Sequence, residues 1–253
     1  MADLEQKRRA VEPYLKFLRR LDDDVDLDTR VGHVLDEYSG EDVAGLAATL
    51  EDVGVTAGFS VPAVHLEERD DIRAAVGDLA EAGHEVLLHG YRHTSYLDVP
   101  YETALEELSR ASEILTAVTG REPTGFHVPY GAASEGTLEA ASELGVEWIV
   151  GSGPDTVDGA ASELTQLQPS RPYDLQLLER GVDPVAAFEQ LSENAEADSV
   201  FLCHPNVHFR PGASEAFVDW LAEERPASPA AVAANPETGP GLLLDCFPPF
   251  RVA

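Results

Sequence analysis

Lysine is almost missing from this sequence. Only Lys7 and Lys16 occur in 253 residues, and Lys and Arg together number 17 against 47 Asp and Glu, a formal net charge of −30. So little positive charge excludes a surface built for phosphate backbones, and it repels nucleic acid and anionic membrane alike. The carboxylates are spread along the whole chain instead of bunched in one segment, so they read as a solvated surface and not as a dock for one basic partner. Concentrated salt screens the self-repulsion that such a surface suffers in dilute buffer, and the balance resembles that of proteins from salt-accumulating microbes.

Cysteine is scarce too. Cys203 and Cys246 are the only two, too few for a disulfide framework or a structural zinc cluster; both are expected to be reduced, with one disulfide between them as the alternative. No apolar run approaches the length of a membrane span. Residues 1–21 alternate charged and apolar residues without the apolar core of a signal peptide, so the expected location is the cytoplasm. An apolar fraction of 43% with 25% charged residues is that of an ordinary globular protein.

What is present is alternation. Residues 4–21 have helical spacing and predict an amphipathic helix, so residues 1–30 are expected to form an N-terminal helical appendage and residues 31–253 a single domain. From there, short β-like runs alternate with helical patterns. The predicted strands are 31–35, 55–61, 85–89, 125–128, 146–151, 175–178, 199–203 and 241–245. The predicted helices are 41–52, 71–82, 101–119, 134–144, 184–194 and 214–224, and 225–240, rich in Ala, Pro and Asn, reads as a loop. Strand and helix alternating at this spacing imply βαβ crossovers and a parallel sheet. Seven or eight such units point to a distorted or incomplete (β/α) barrel, with a doubly wound open sheet as the competing architecture.

In a parallel barrel, functional groups gather at the C-terminal strand ends and in the loops beyond them. Asp36 and Glu37 follow the first predicted strand, His89 and His93 the third, His127 to Gly131 the fourth and His204 the seventh. His89 and His93 are four residues apart, a spacing that lets two neutral imidazoles share one metal ion if the chain turns helically there. Imidazole suits zinc, and also cobalt, nickel or iron. His204 and His208 repeat the spacing, so context has to separate the two pairs.

That context is a resemblance. The stretch GHEVLLHGYRHTSY is similar to the second motif of the polysaccharide deacetylase family, the carbohydrate esterases with a NodB-type domain, with Gly90 where Ser or Thr is common. GFHVPYGAASEGTLEAASELGVEW is similar to the third motif, whose usual core is Arg-Pro-Pro-Tyr-Gly. Phe201-Leu202-Cys203-His204 matches the Leu-x-His of the last motif. Val34-Leu35-Asp36-Glu37-Tyr38 lies where the family carries Thr-Phe-Asp-Asp-Gly, and residues 55–61 resemble its Ala-Thr-Phe-Phe strand. The resemblance covers residues 31–224.

It implies a metal-dependent hydrolase that removes acetyl groups from N-acetylated carbohydrate, or cleaves a small non-sugar amide. Asp36 would be the general base, with Glu37, His89 and His93 on a divalent metal, most readily zinc. His204 would be the general acid, and the backbone N–H of Tyr130 an oxyanion donor. Leu202 would line the acetyl pocket, with Pro129 and Gly131 also on the substrate side. Three departures stand out: Glu37 replaces an aspartate, His127 replaces the arginine that pairs with the catalytic base, and the fourth motif has only Asp155 and Asp158 in its region. They keep a second reading in view, a NodB-like domain that binds a glycan or a protein without catalysis. His33, His65 and His84 read as structural, Trp148 and Trp220 as core aromatics, and Tyr130-Gly131 doubles as turn chemistry. Cys203 is on the strand face opposite His204 and is set aside as a nucleophile.

Overall fold

The structure, a computed structural model, describes residues 39–153, 162–179, 181–204 and 213–245. Its strands are β1 (Gly58–Ser60), β2 (Glu85–Leu87), β3 (Gly125–Ala132), β4 (Trp148–Ser152), β5 (Thr165–Pro169), β6 (Ser199–Cys203) and β7 (Gly241–Asp245). All pairings are parallel, in the order β2-β1-β7-β6-β5-β4-β3. A Leu88–Phe126 bridge joins the two end strands and nearly closes the ring into a barrel. The barrel expected from the alternation is therefore present. The predicted N-terminal helix and the predicted strand 31–35 lie outside the described residues.

Helices wrap the outside: α1 (Gly40–Val53), α2 (Val64–Glu68), α3 (Asp70–Glu81), α4 (Tyr101–Thr119), α5 (Glu135–Glu143), α6 (Asp174–Glu179), α7 (Pro184–Glu193), α8 (Ala213–Glu224) and α9 (Pro229–Ala234). Gly54, left-handed at φ 71°, ends α1, and Ser39 caps its start through a reciprocal pair with Asp42. Two predictions fail locally. Residues 175–178 are helical, within α6, and the strand of this unit is the earlier β5; a run as short as Leu-Gln-Leu-Leu fits either period, and β5 offers one buried apolar residue, Leu167, among polar ones. The expected 225–240 loop contains α9, started by a Ser228 cap and Pro229 in its first turn.

Alternation along each strand sorts residues into two cores. Phe59, Leu88, Phe126, Ile149, Phe201, Leu242 and Leu244 face the helical layer. Leu87, Trp148, Val150, Leu167, Leu202 and Leu243 fill the barrel interior with Val232 of α9. That helix plugs the N-terminal end of the barrel. A Cβ at Gly58 would lie 2.9 Å from Pro229 Cγ, so the plug needs glycine there, and the Glu85 carboxylate accepts the Ala230 backbone N–H at 3.0 Å. The opposite end carries the buried polar side chains of the strand ends.

Phe126 is fully buried at the closure, edge-on to Tyr96 with centroids 5.8 Å apart. Replacing it by Ala should cost about 3–5 kcal/mol of stability, read as a lowered urea midpoint with an unchanged slope.

Candidate active site

The interior residues of each strand point to what lies two positions further on. Gly58 leads to Ser60, Leu87 to His89, Gly125 to His127, Leu202 to His204, and Leu243 to Asp245. Since strand residues alternate faces, these five polar side chains enter the C-terminal end of the barrel together. All five are buried. Asp245 is paired in register with Ser60 on the neighbouring strand.

His89 Nδ1 lies 2.7 Å from the His127 carbonyl oxygen. A carbonyl only accepts, so Nδ1 carries the proton and Nε2 holds a lone pair. That Nε2 is fully buried, 3.2 Å from Asp245 Oδ1, yet without the alignment of a hydrogen bond. An unbonded lone pair facing a carboxylate is costly in a dry site and is what a cation would relieve. His127 stacks on His89 at 4.5 Å with the rings 8° from parallel. Ligand atoms of His89, His127 and Asp245 all lie within 4.8 Å of one another, close to what bonds of about 2.0–2.2 Å to one ion require. The donor set, two nitrogens and a carboxylate, fits a divalent transition metal with open coordination positions.

Charge in the cluster is consistent with this. Burial, with His89 close by, pushes His127 down to about 3 and His93 well below the usual histidine range, although Asp245 pulls the other way. Burial would raise the Asp245 carboxyl, but His89, His127 and His204 hold it well below the usual carboxylate range. At neutral pH an ionised Asp245 therefore stands beside neutral His93 and His127, the form in which such groups bind metal.

His93 arrives differently from the expectation. Residues 91–93 form bends and residues 89–93 no helical turn; Gly90, at φ 75°, reverses the chain and brings the His93 ring to 4.7 Å from His89. Gly90 stands where the family favours Ser or Thr because a Cβ there would meet Tyr96 Oη at 2.6 Å. His93 is edge-on to Tyr130, 4.7 Å away.

Pro129, Tyr130 and Gly131 belong to β3 itself, at a break in the β3–β4 register between His127 and Ala132. Tyr130 has φ 62° and Gly131 φ 76°, so the turn chemistry seen in Pro-Tyr-Gly is realised inside a strand. Left-handed backbone at a tyrosine costs about 1–3 kcal/mol and collects at functional sites. Leu202, expected beside the acetyl group, is an interior residue of the barrel one layer below His204.

His204 is held by Asp174, a residue the motif comparison does not single out. The fully buried Asp174 carboxylate accepts the His204 backbone N–H at 2.7 Å and pairs with its Nδ1 at 2.8 Å. Nδ1 therefore carries a proton toward Asp174, which fixes the orientation of the ring. Asp36, Glu37, Asp155, Asp158 and His208 lie outside the described residues. His84 is structural as expected, its Nδ1 taking the Ala57 N–H at 3.2 Å; Trp148 and Trp220 are buried, and Cys203, buried and free, packs in the outer core.

Sequence reading missed Asp245, Ser60 and Asp174. Asp245 was detectable, since it ends a predicted strand and shares the inward parity of Leu243. Ser60 and Asp174 carried no such signal, one a small residue in a buried run and the other in a segment read with the wrong period. Gly90→Ala should lower stability by at least about 1–2 kcal/mol, because the left-handed backbone is unfavourable for any side chain; a urea midpoint equal to wild type would contradict the bend between His89 and His93.

Residues 28–149 match the sequence profile of the polysaccharide deacetylase family. No curated protein matches the sequence. Among solved structures, a protein from Mycobacterium smegmatis described as a polysaccharide deacetylase superimposes with a TM-score of 0.60 at 20% identity, over 89% of this chain and 85% of that one. A family 4 carbohydrate esterase from Streptomyces lividans, in complex with acetate, gives 0.55 at 17% identity over 81% and 92%. A protein from Bacillus anthracis described as a CE4 family pseudoenzyme gives 0.56 at 15% identity over 82% and 60%. With this profile match over just under half of the chain, and with the barrel of these structures around its histidines, the chain is similar to the polysaccharide deacetylase family in sequence and shares its fold.

Proposed function

We propose that this protein is a metal-dependent hydrolase that removes acetyl groups from N-acetylated carbohydrate. The observation that carries the reading is the His89 Nε2 lone pair, buried and unbonded beside Asp245. The metal reading moves from Glu37, His89 and His93 to His89, His127 and Asp245, with His93 flanking them. Zinc is the first choice for this donor set, and cobalt, nickel or iron fit it as well. When bound, a divalent ion there acidifies a water and polarises the amide carbonyl.

The remaining roles belong to the chain. Asp36, on the family resemblance, takes the proton of the attacking water. His204, oriented by Asp174, donates a proton from Nε2 to the departing sugar amine as the C–N bond breaks, so that amide and water become amine and acetate. The Tyr130 backbone N–H meets the developing oxyanion. Leu202, Pro129 and Gly131 shape the space for the acetyl group and the sugar. The cytoplasm is the expected setting, from the few cysteines, and the acidic surface suits concentrated salt. No helix among the described residues is long and apolar enough to cross a membrane.

The competing reading is a glycan- or protein-binding domain without activity, favoured by His127 in place of the family's arginine. Two measurements in concentrated salt decide. Zinc content near one per chain is expected in wild type and should fall sharply in His89→Ala and in Asp245→Asn; equal content in all three contradicts the site. Acetate release from N-acetylated oligosaccharides should drop about 10²–10⁴-fold in Asp174→Asn, which loses the orientation of its general acid, while zinc content holds. Wild type that binds zinc and releases no acetate favours the binding domain.

A further inference from the structure

Ser60 has no part in the chemistry above, yet its hydroxyl sits inside the cluster. It is fully buried at the end of β1, with Oγ 2.9 Å from His127 Nδ1 and 3.3 Å from Asp245 Oδ1. A hydroxyl has one hydrogen to give, and a carboxylate can only accept. If that hydrogen went to His127, two oxygens, one of them charged, would face each other at 3.3 Å with no hydrogen between them, a separation too short to admit a water. The hydrogen therefore belongs to Asp245, and the contact with His127 must be an Nδ1–H donated to Oγ.

We infer that Ser60 is a positioning residue of the metal site: its hydroxyl bridges Asp245 and His127, holds His127 in the Nδ1-protonated tautomer, and leaves Nε2 as that ring's free lone pair. The inference rests on the metal reading above. His89 reaches the same tautomer through a backbone carbonyl, so both imidazoles are committed in the same sense by different means. Of the two restraints, only the one on His127 depends on a side chain. The same hydroxyl, as donor, also fixes one oxygen of Asp245. Support of this kind typically contributes 10–100-fold in metal affinity.

The test uses the full chain, folded in concentrated salt. Nitrogen-15 NMR of the metal-free wild type should show His127 protonated at Nδ1 and bare at Nε2; a proton on Nε2 overturns the inference without any variant. Zinc affinity, measured by competition with a chelator, should weaken about 10–100-fold in Ser60→Ala, with the His127 proton moving toward Nε2, and recover in Ser60→Thr if the larger residue is accommodated. A merely structural serine would lower stability and leave the tautomer alone. If wild type binds zinc and Ser60→Ala binds it equally, the inference fails and the metal reading stands. If wild type binds no zinc, both fall.

Discussion

A carboxylate buried among histidines governs this site. An ionised group taken out of water costs several kcal/mol unless partners replace its hydration, and Asp245 finds one in the Ser60 hydroxyl, with His89 Nε2 3.2 Å away and facing it. Asp245, Ser60 and His89 come from β7, β1 and the segment after β2, three adjacent strands. The cluster thus depends on strand register: Ser60 stands level with Asp245 and with Leu87, and His89 rises one step above. A slip of one residue in β7 would turn Asp245 into the helical layer and Leu244 into the site.

Among the described residues, the carboxylate brought to the histidines is Asp245, a position outside the family motifs. The resemblance predicts a carboxylate from Glu37, after the first strand. In the described barrel β1 is flanked by β2 on one side and β7 on the other, so the strand beside it that ends in a carboxylate is the last in the chain. His127, in place of the family's arginine, is consistent with the same change. A permanent cation at that position would neutralise Asp245 and repel a metal, whereas a buried neutral imidazole adds a ligand. The Asp174–His204 pair flanks Asp245 on its other side, since β6 lies beside β7 with Cys203 level with Leu244.

The barrel was legible because its strands and helices differ in period over long stretches. The 19-residue helix α4 and the apolar strand β6 have the bounds expected from sequence. His89, His93, His127 and His204 were legible because strand-end position and the family motifs agree on them. Helix α6 was misread because four residues cannot separate two periods, and α9 was hidden in a stretch judged by composition. Asp245 belongs to none of the family motifs, although alternation in Leu-Leu-Leu-Asp already turns it inward. Ser60 was beyond reach, since its role exists only once β1 and β7 are side by side.

The most direct measurement is an anomalous-scattering map from crystals grown with zinc or cobalt. The account predicts one peak at bonding distance, about 2.0–2.2 Å, from His89, His127 and Asp245. A metal held by Glu37 and His93, with Asp245 outside its coordination sphere, would contradict it.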